Sequence, residues 1–471
     1  MRHSMIALAA GACAIGVATG GTVARQPAAP PNFIVILADD QGYGDLGSFG
    51  HPTIRTPNLD RMAVEGQRWT SFYAAHLCTP SRAQLLTGRL AVRTGLIDGV
   101  LFPDSTGGLQ PEELTIAEVL KARGYATAAV GKWHLGVLPQ YLPTAQGFDS
   151  YFGIPYSNDM DQAGGALSAE EKFRRYMDPR IEYFNVPLMR NATIIERPAE
   201  QSTLTRRYTD EAIQFIKANR SRPFFLYLAP SMPHVPLFRS KEFVGRSARG
   251  VYGDVIEELD WNVGRVLDTL RDLKLDGNTL VLYTSDNGPW APYREHGGSA
   301  GPLKGAKSTT WEGGLREPAI FWWPGTIRSG VVTGIGSELD VLPTLAGLAG
   351  VPVPKDRVID GYDLSGVLRR NAPSPRDTLF YYGGPTLSAV RHGAYKAYFL
   401  VPTSTDGRGG SAPASTEPQL YNLDQDPSEK YDLAARHPEI VAELRKIAEA
   451  HKKTVVPVPN QIRTRTAVTG G

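Results

Sequence analysis

Cysteine is nearly absent from this chain of 471 residues, which holds only Cys13 and Cys78. A disulfide framework needs pairs that persist in the mature protein, and Cys13 lies in a segment that reads as removable. Excess charge of one sign is missing too. The 50 Lys and Arg stand against 48 Asp and Glu, a net charge of +2, with no basic tract and no acidic tail. That excludes binding of nucleic acid or an anionic membrane through a bulk field. Histidine is scarce, at 9 residues, and there is no internal repeat. No apolar run reaches the roughly 20 residues that a membrane-spanning helix needs. What remains is 42% hydrophobic and 21% charged, ordinary for a globular protein and long enough for a large core and more than one domain.

The N-terminus has its own signature. Arg2 and His3 precede a small-residue apolar run from Met5 to Ala18, and Thr22-Val23-Ala24 offers a small-residue cleavage site. This predicts a secretory signal over residues 1–24. Ala10-Gly11-Ala12 is a poor context for lipidation of Cys13. An exported protein normally uses its cysteines in disulfides. A lone Cys78 in an oxidising compartment therefore calls for a chemical role or a chemical conversion. The short signal and disulfide-free mature chain point to a bacterial periplasm or to secretion.

Past the signal, Phe33 to Ala38 is an apolar strand that ends on Asp39-Asp40. Further strands are predicted over 126–130, 223–229, 279–284 and 318–323, and helices over 57–66, 80–88, 114–124, 205–219, 254–273 and 340–349. This alternation implies an α/β fold with a large, mostly parallel sheet flanked by helices. Such sheets bind ligands outside the carboxyl ends of their strands. There the chain places Asp39-Asp40, Lys132 with His134, His234, and Asp286-Asn287. After about residue 372 the pattern shifts to short strands at 379–382, 388–390, 395–399 and 420–423 and a helix at 438–451. We read a catalytic domain over 25–372 and a small C-terminal subdomain over 373–471, an antiparallel sheet with one helix. Residues 153–200 show no clear period and read as a long excursion near the site.

Several residues carry chemistry. Pro80 suits the first position of a helix, which puts Cys78 just ahead of a helix N-terminus, where amides and the dipole favour an anion. Arg82 lies one turn on as a bidentate donor. Taken alone, Cys78 also reads as a buried inert cysteine. Asp39, Asp40, Asp286 and Asn287 offer only hard oxygen ligands, which suit calcium or magnesium rather than zinc, and each pair alone also reads as turn chemistry. Lys307 sits in a loop of small residues, Gly305 to Gly314, that allows close approach to a ligand. His134, His234, Lys132 and Lys307 each have an ordinary structural reading as well.

At this point the residues match a pattern. Cys78-Thr79-Pro80-Ser81-Arg82, continuing through Ala83-Gln84-Leu85-Leu86-Thr87-Gly88-Arg89, resembles the signature of the type I, formylglycine-dependent sulfatases. Gly131-Lys132-Trp133-His134-Leu135-Gly136 resembles their second motif. The likeness covers nearly the whole mature chain and runs strongest toward the arylsulfatase A and N-acetylgalactosamine-6-sulfatase branches. Gly153 to Ser157 is similar to the first, and Gly253 to Asp260 and Glu312 to Pro318 are similar to both. The resemblance implies an alkaline-phosphatase-like fold and hydrolysis of aryl or carbohydrate sulfate esters to alcohol and sulfate. It implies that a formylglycine-generating maturation enzyme oxidises Cys78 to Cα-formylglycine. It implies one calcium ion on Asp39, Asp40, Asp286, Asn287 and the converted Cys78. Arg82 and Lys132 would stabilise the formylglycine, and His134 would act on its second hydroxyl. Ser157, Lys132, His234 and Lys307 would hold the sulfate and the leaving-group oxygen.

The chain departs from the pattern at Asn158, where arylsulfatase A carries His, and in lacking the cysteines of the animal enzymes' disulfides. Two other functions compete. One is a hydrolase of phosphate esters or phosphonates on the same broad fold, although a two-zinc site needs several histidines. The other is an inactive binder of sulfated glycans, which has no need of the Cys78 to Arg82 segment. Substrate choice would lie in the 153–200 excursion, the Trp290 to His296 loop and the C-terminal part, where aromatic faces suit rings.

Overall fold

The computed structural model describes residues 1, 30–165, 167–407 and 413–465; the predicted signal, Cys13 included, lies outside the described residues. Asn32–Ala38 is the central strand of an 11-stranded sheet. Thr279–Ser285 and Phe224–Ala229 flank it in parallel, and Ala126–Gly131 and Ser150–Gly153 continue in parallel beyond the latter. Arg316–Trp322 runs antiparallel to its neighbours Thr279–Ser285 and Gln67–Tyr73. The sheet is thus mixed and mostly parallel, and its parallel centre is buried on both faces, the usual condition of parallel strands. Alternation within Asn32–Ala38 shows this directly. Ile34, Ile36 and Ala38 pack into one core with Leu204–Ala218 and Val251–Asp272. Phe33, Val35 and Leu37 pack into the other with Cys78–Thr87, Ile116–Lys121 and Val341–Ala349.

Register puts the strand ends together. Ala38 lies opposite Ser285, Ile36 opposite Leu228, and Gly131 opposite Ala229. The residues that follow, Asp39-Asp40, Asp286-Asn287 and Lys132, therefore leave one edge side by side. Gly131 is obligatory for this. Its φ is +108°, and a Cβ there would stand 2.0 Å from the Ala229 carbonyl oxygen, so the Lys132 turn can approach its neighbour strand only through glycine.

The C-terminal region forms a four-stranded antiparallel sheet in the order Thr378–Gly383, Thr386–His392, Tyr395–Tyr398, Gln419–Asn422. The helix Pro438–Lys452 packs on it through Val441, Leu444 and Ala448. The chain then runs back over the larger body, where Arg93 donates to the Thr454 carbonyl at 2.7 Å and Gln461 N to that of Gly95 at 3.0 Å. Among the described residues no helix is long and apolar enough to cross a membrane.

Two expectations change. The 153–200 excursion contains a helix, Ala169–Met177, and a hairpin, Leu188–Arg190 with Thr193–Glu196, that extends the large sheet. The helix buries only Tyr176 and so leaves no apolar period to read. The helix expected to start at Pro80 starts at Cys78. Its first i→i−4 bond is Ser81 N to Leu77 O, 3.1 Å, so the N–H that Pro80 lacks is one of those a helix leaves unpaired anyway.

Candidate active site

Cys78 opens a helix that is buried along its entire length. Ser81 Oγ accepts from Ala75 N at 2.9 Å, and Thr79 Oγ1 donates to the His134 carbonyl at 3.0 Å. These bonds tie the turn before the helix to the loop after Ala126–Gly131. The Lys307 loop is pinned on both sides, Lys307 N to Pro289 O (3.1 Å) and Ser308 N to His76 O (2.9 Å). Lys307 is thereby held between the Cys78 and Asp286 segments.

The buried side chains then converge. Cys78 Sγ is 3.5 Å from Asp39 Oδ1, 3.7 Å from Asp40 Oδ1 and 3.5 Å from Lys307 Nζ. Lys307 bonds both Asp40 oxygens, at 2.7 and 2.8 Å. Lys132 bonds Asp39 Oδ2 at 2.7 Å and Ser157 Oγ at 3.1 Å. Arg82 grips Asp286 Oδ2 through Nε (3.1 Å) and Nη2 (2.7 Å), and Nη1 donates to the Lys132 carbonyl at 2.8 Å. His234 Nε2 lies 3.5 Å from Asp40 Oδ2 and 3.4 Å from Ser157 Oγ. Asp39, Asp40 and Asp286 thus face Lys132, Lys307 and Arg82, and none of the six is more than 4% exposed.

Ligand atoms of Asp39, Asp40, Cys78 and His234 all lie within 4.8 Å of one another. This group overlaps the expected calcium set but includes His234 and omits Asp286. Asp286 Oδ1 accepts from Asp40 N at 3.1 Å, and its other oxygen is taken by Arg82. Asn287 supplies a test of fit. Its Nδ2 donates to Asp40 Oδ1 (2.8 Å) and to the Gly288 carbonyl (3.0 Å). Both partners are acceptors, so the amide orientation is fixed. Its Oδ1 is left buried with no donor, as an oxygen intended for a hard cation would be.

Electrostatics agree with a demanding site. Burial, then Asp286 and Asp39, push the Cys78 thiol well above its usual range, against Lys132 and Lys307, and a protonated thiol is a poor nucleophile. Burial, with the charges of Lys307 and Lys132, pushes the His234 imidazole well down. Burial, with Lys132 and Arg82, does the same at His134. Both rings are therefore neutral at rest. The His234 ring puts Nδ1 2.5 Å from the Val235 carbonyl, so Nδ1 carries the proton and Nε2 is bare. The His134 ring puts Nε2 2.8 Å from the Leu101 carbonyl, and its Nδ1 is buried without a partner.

Every residue singled out in the sequence lies in or against this cluster, His134 through Thr79. Asn158 is a brace instead: it donates to Gln201 Oε1 (3.1 Å) and the Pro236 carbonyl (3.0 Å). Sequence reasoning misses Tyr227, whose hydroxyl lies 3.4 Å from Arg82 Nη1. A tyrosine inside an apolar strand gives no signal of that contact. It also misses Glu317 and Glu338, buried carboxyls without partners that burial, and then the charge of Asp286, push well above the usual range.

A mixed α/β sheet with buried cations, carboxylates and neutral imidazoles at its carboxyl edge defines an alkaline-phosphatase-like hydrolase. Comparison with known proteins resolves the class further. Residues 31–351 match the Sulfatase family and residues 374–469 the C-terminal region of aryl-sulfatase. The chain belongs to the sulfatase family and is a sulfuric ester hydrolase. It is 43% identical to human (Homo sapiens) arylsulfatase A over 462 residues, covering 92% of this chain and 89% of that protein. It is 41% identical to pig (Sus scrofa) N-acetylgalactosamine-6-sulfatase over 477 residues, covering 92% and 88%. The crystal structure of PsFucS1 sulfatase from Pseudoalteromonas sp. superposes with a TM-score of 0.81 at 31% identity, covering 92% of this chain and 91% of that one.

Proposed function

We propose that the protein is an exported, calcium-dependent sulfatase acting on aryl or carbohydrate sulfates, and that Cys78 is oxidised after translation to Cα-formylglycine by a maturation enzyme. Asp39, Asp40, Asp286, Asn287 and the converted residue 78 would hold the ion. When present, the ion and the hydrated aldehyde supply a hydroxyl that is nucleophilic at neutral pH and a positive centre for the sulfate. The observation that carries this reading is the unpartnered Asn287 Oδ1 beside a cluster in which three carboxylates are already matched by three cations. A dication would make the pocket net positive, which suits a sulfate ester anion.

The chain's own groups divide the rest of the work. Arg82 and Lys132 fix residue 78 and the carboxylates around it. Ser157, Lys132, Lys307 and His234 bind the sulfate. A bound sulfate ester anion offsets the burial and the lysine charges that keep the His234 ring neutral at rest, so Nε2 takes up a proton from solvent in the substrate complex and gives it to the leaving oxygen. His134 Nδ1 takes the proton that residue 78 releases as sulfate departs. Peptide mass analysis of the Cys78 segment from the native host tests the reading. Conversion to formylglycine removes about 18 Da. An unmodified thiol in fully active protein overturns it.

A further inference from the structure

One partly buried aromatic side chain lies against the site without a part in the chemistry above. Trp290 follows Asp286-Asn287-Gly288-Pro289; the Pro289 carbonyl just before it accepts from Lys307 N at 3.1 Å, and its own carbonyl accepts from Tyr293 N at 3.2 Å. The centre of its ring lies 4.4 Å from Lys307 Nζ and 5.2 Å from the His234 ring. Behind it stand residues from two segments far apart in sequence. Tyr293 meets it at 4.8 Å and 71°, and Tyr176 at 6.3 Å and 86°. Tyr176 and Phe173, both on the helix Ala169–Met177, stack on Tyr293 at 4.8 and 5.9 Å. The excursion and the 290–296 loop are therefore a single aromatic wall, and Trp290 is its member nearest the catalytic groups.

We propose that Trp290 is the surface on which the sulfate-bearing ring of the leaving group stacks, so that it selects ring-borne sulfates over open-chain ones. This rests on the reading that Lys307 and His234 face the leaving-group oxygen. A group bonded to an oxygen held by those two residues must pass beside the indole. Aromatic rings and the C–H face of a pyranose share the chemistry that an indole recognises, a flat apolar face, and braced aromatics present it at low entropic cost.

The test uses the full-length mature enzyme and its Trp290→Ala and Trp290→Phe variants. The readout is kcat/KM on 4-nitrophenyl sulfate, a hexose 6-sulfate and a short alkyl sulfate. The expected result is a fall of about fivefold to tenfold in ring-over-chain selectivity for Trp290→Ala, carried mainly by KM, with Trp290→Phe restoring most of it. A fall confined to the aryl ester or to the hexose ester identifies which ring the wall serves. Equal losses on all three esters, or an unchanged ratio, overturn the proposal and leave Trp290 as a prop for Lys307 and His234. Lys307→Ala, assayed alongside, separates the two readings: undiminished turnover there means the site assignment itself has failed.

Discussion

Two buried clusters of charge among the described residues are built on opposite plans. Under the small sheet, Lys396 donates to Glu312 (2.9 Å), Glu429 (3.0 Å) and the Thr310 carbonyl (2.9 Å). Tyr73 and Tyr381 donate to Glu312 at 2.6 and 2.9 Å, Tyr398 to Glu429 at 3.0 Å, and Glu312 N to Glu429 at 2.8 Å. Every ammonium proton and carboxylate oxygen in that group has a partner. Burial pushes the Glu312 carboxyl up, yet Lys396, Arg316 and Arg391 outweigh it and hold it at about 2. The cluster around Cys78 is equally buried but leaves Asn287 Oδ1 and His134 Nδ1 without partners. A complete network fixes one arrangement and has nothing left to offer a ligand. An incomplete one keeps atoms in reserve, which is how a reactive site differs from structural glue when both are dry and charged.

Substitutions should separate the two plans, with activity failing in one and stability in the other. The largest effect belongs to Cys78→Ser. A plain hydroxyl lacks the second hydroxyl of an aldehyde hydrate, so kcat for multiple turnover should fall at least about ten-thousandfold. The melting temperature should stay within about 2 °C of the parent. Steady-state assays and thermal scans on the same preparations check this, and full turnover by the variant would sink the mechanism. Lys396→Met should do the reverse. It strands two buried carboxylates and should cost about 3–5 kcal/mol in denaturant unfolding, with kcat per folded molecule near the parent value. A large loss of kcat there would mean that the two clusters are coupled. A smaller effect is expected of Asn287→Ala. Removing the unpartnered oxygen should weaken calcium binding at least about tenfold by titration calorimetry, and excess calcium should recover activity. Unchanged affinity would remove Asn287 from the ligand set.

How far each cluster could be read from sequence follows from how local its signals are. Phe33 to Ala38, Phe224 to Ala229 and Leu280 to Tyr283 are continuous apolar runs because both faces of the parallel sheet are buried, and their polar ends foretell where side chains gather. Gln67–Tyr73, with Trp69, Phe72 and Tyr73 set among Gln67, Arg68, Thr70 and Ser71, neither alternates nor runs apolar throughout, so it goes unseen although it forms seven residues of the sheet. The hairpin strands beyond Ser150–Gly153 are three and four residues long, too short for a period. The Lys396 cluster is invisible for a different reason. Its members, Tyr73, Glu312, Lys396 and Glu429, are scattered over the chain and meet only through packing of the small sheet on the large one. The Trp290 wall is half-legible. Its two segments read separately as regions of substrate choice, but nothing local joins Tyr176 to Tyr293.

Glu317 and Glu338 fit neither plan and give the finest test of it. Both are fully buried, and none of their carboxyl oxygens has a partner. Burial first, then Asp286 with its neighbours, holds both well above the usual 4.5. The folded protein therefore keeps protons on them that the unfolded chain gives up. Their contribution to stability is fullest below about pH 4.5 and is lost as pH rises from there toward the folded-state value, by at most about 1.4 kcal/mol per pH unit for each group. Glu338→Gln removes one such group at nearly constant shape. Its stability relative to the parent should improve between pH 5 and pH 8, read as the shift in urea midpoint at each pH. A constant difference across that range would mean that Glu338 is already ionised in the folded protein. It would then need a buried cation or proton donor beside it, and the cluster around Cys78 would extend one residue deeper than its hydrogen bonds indicate.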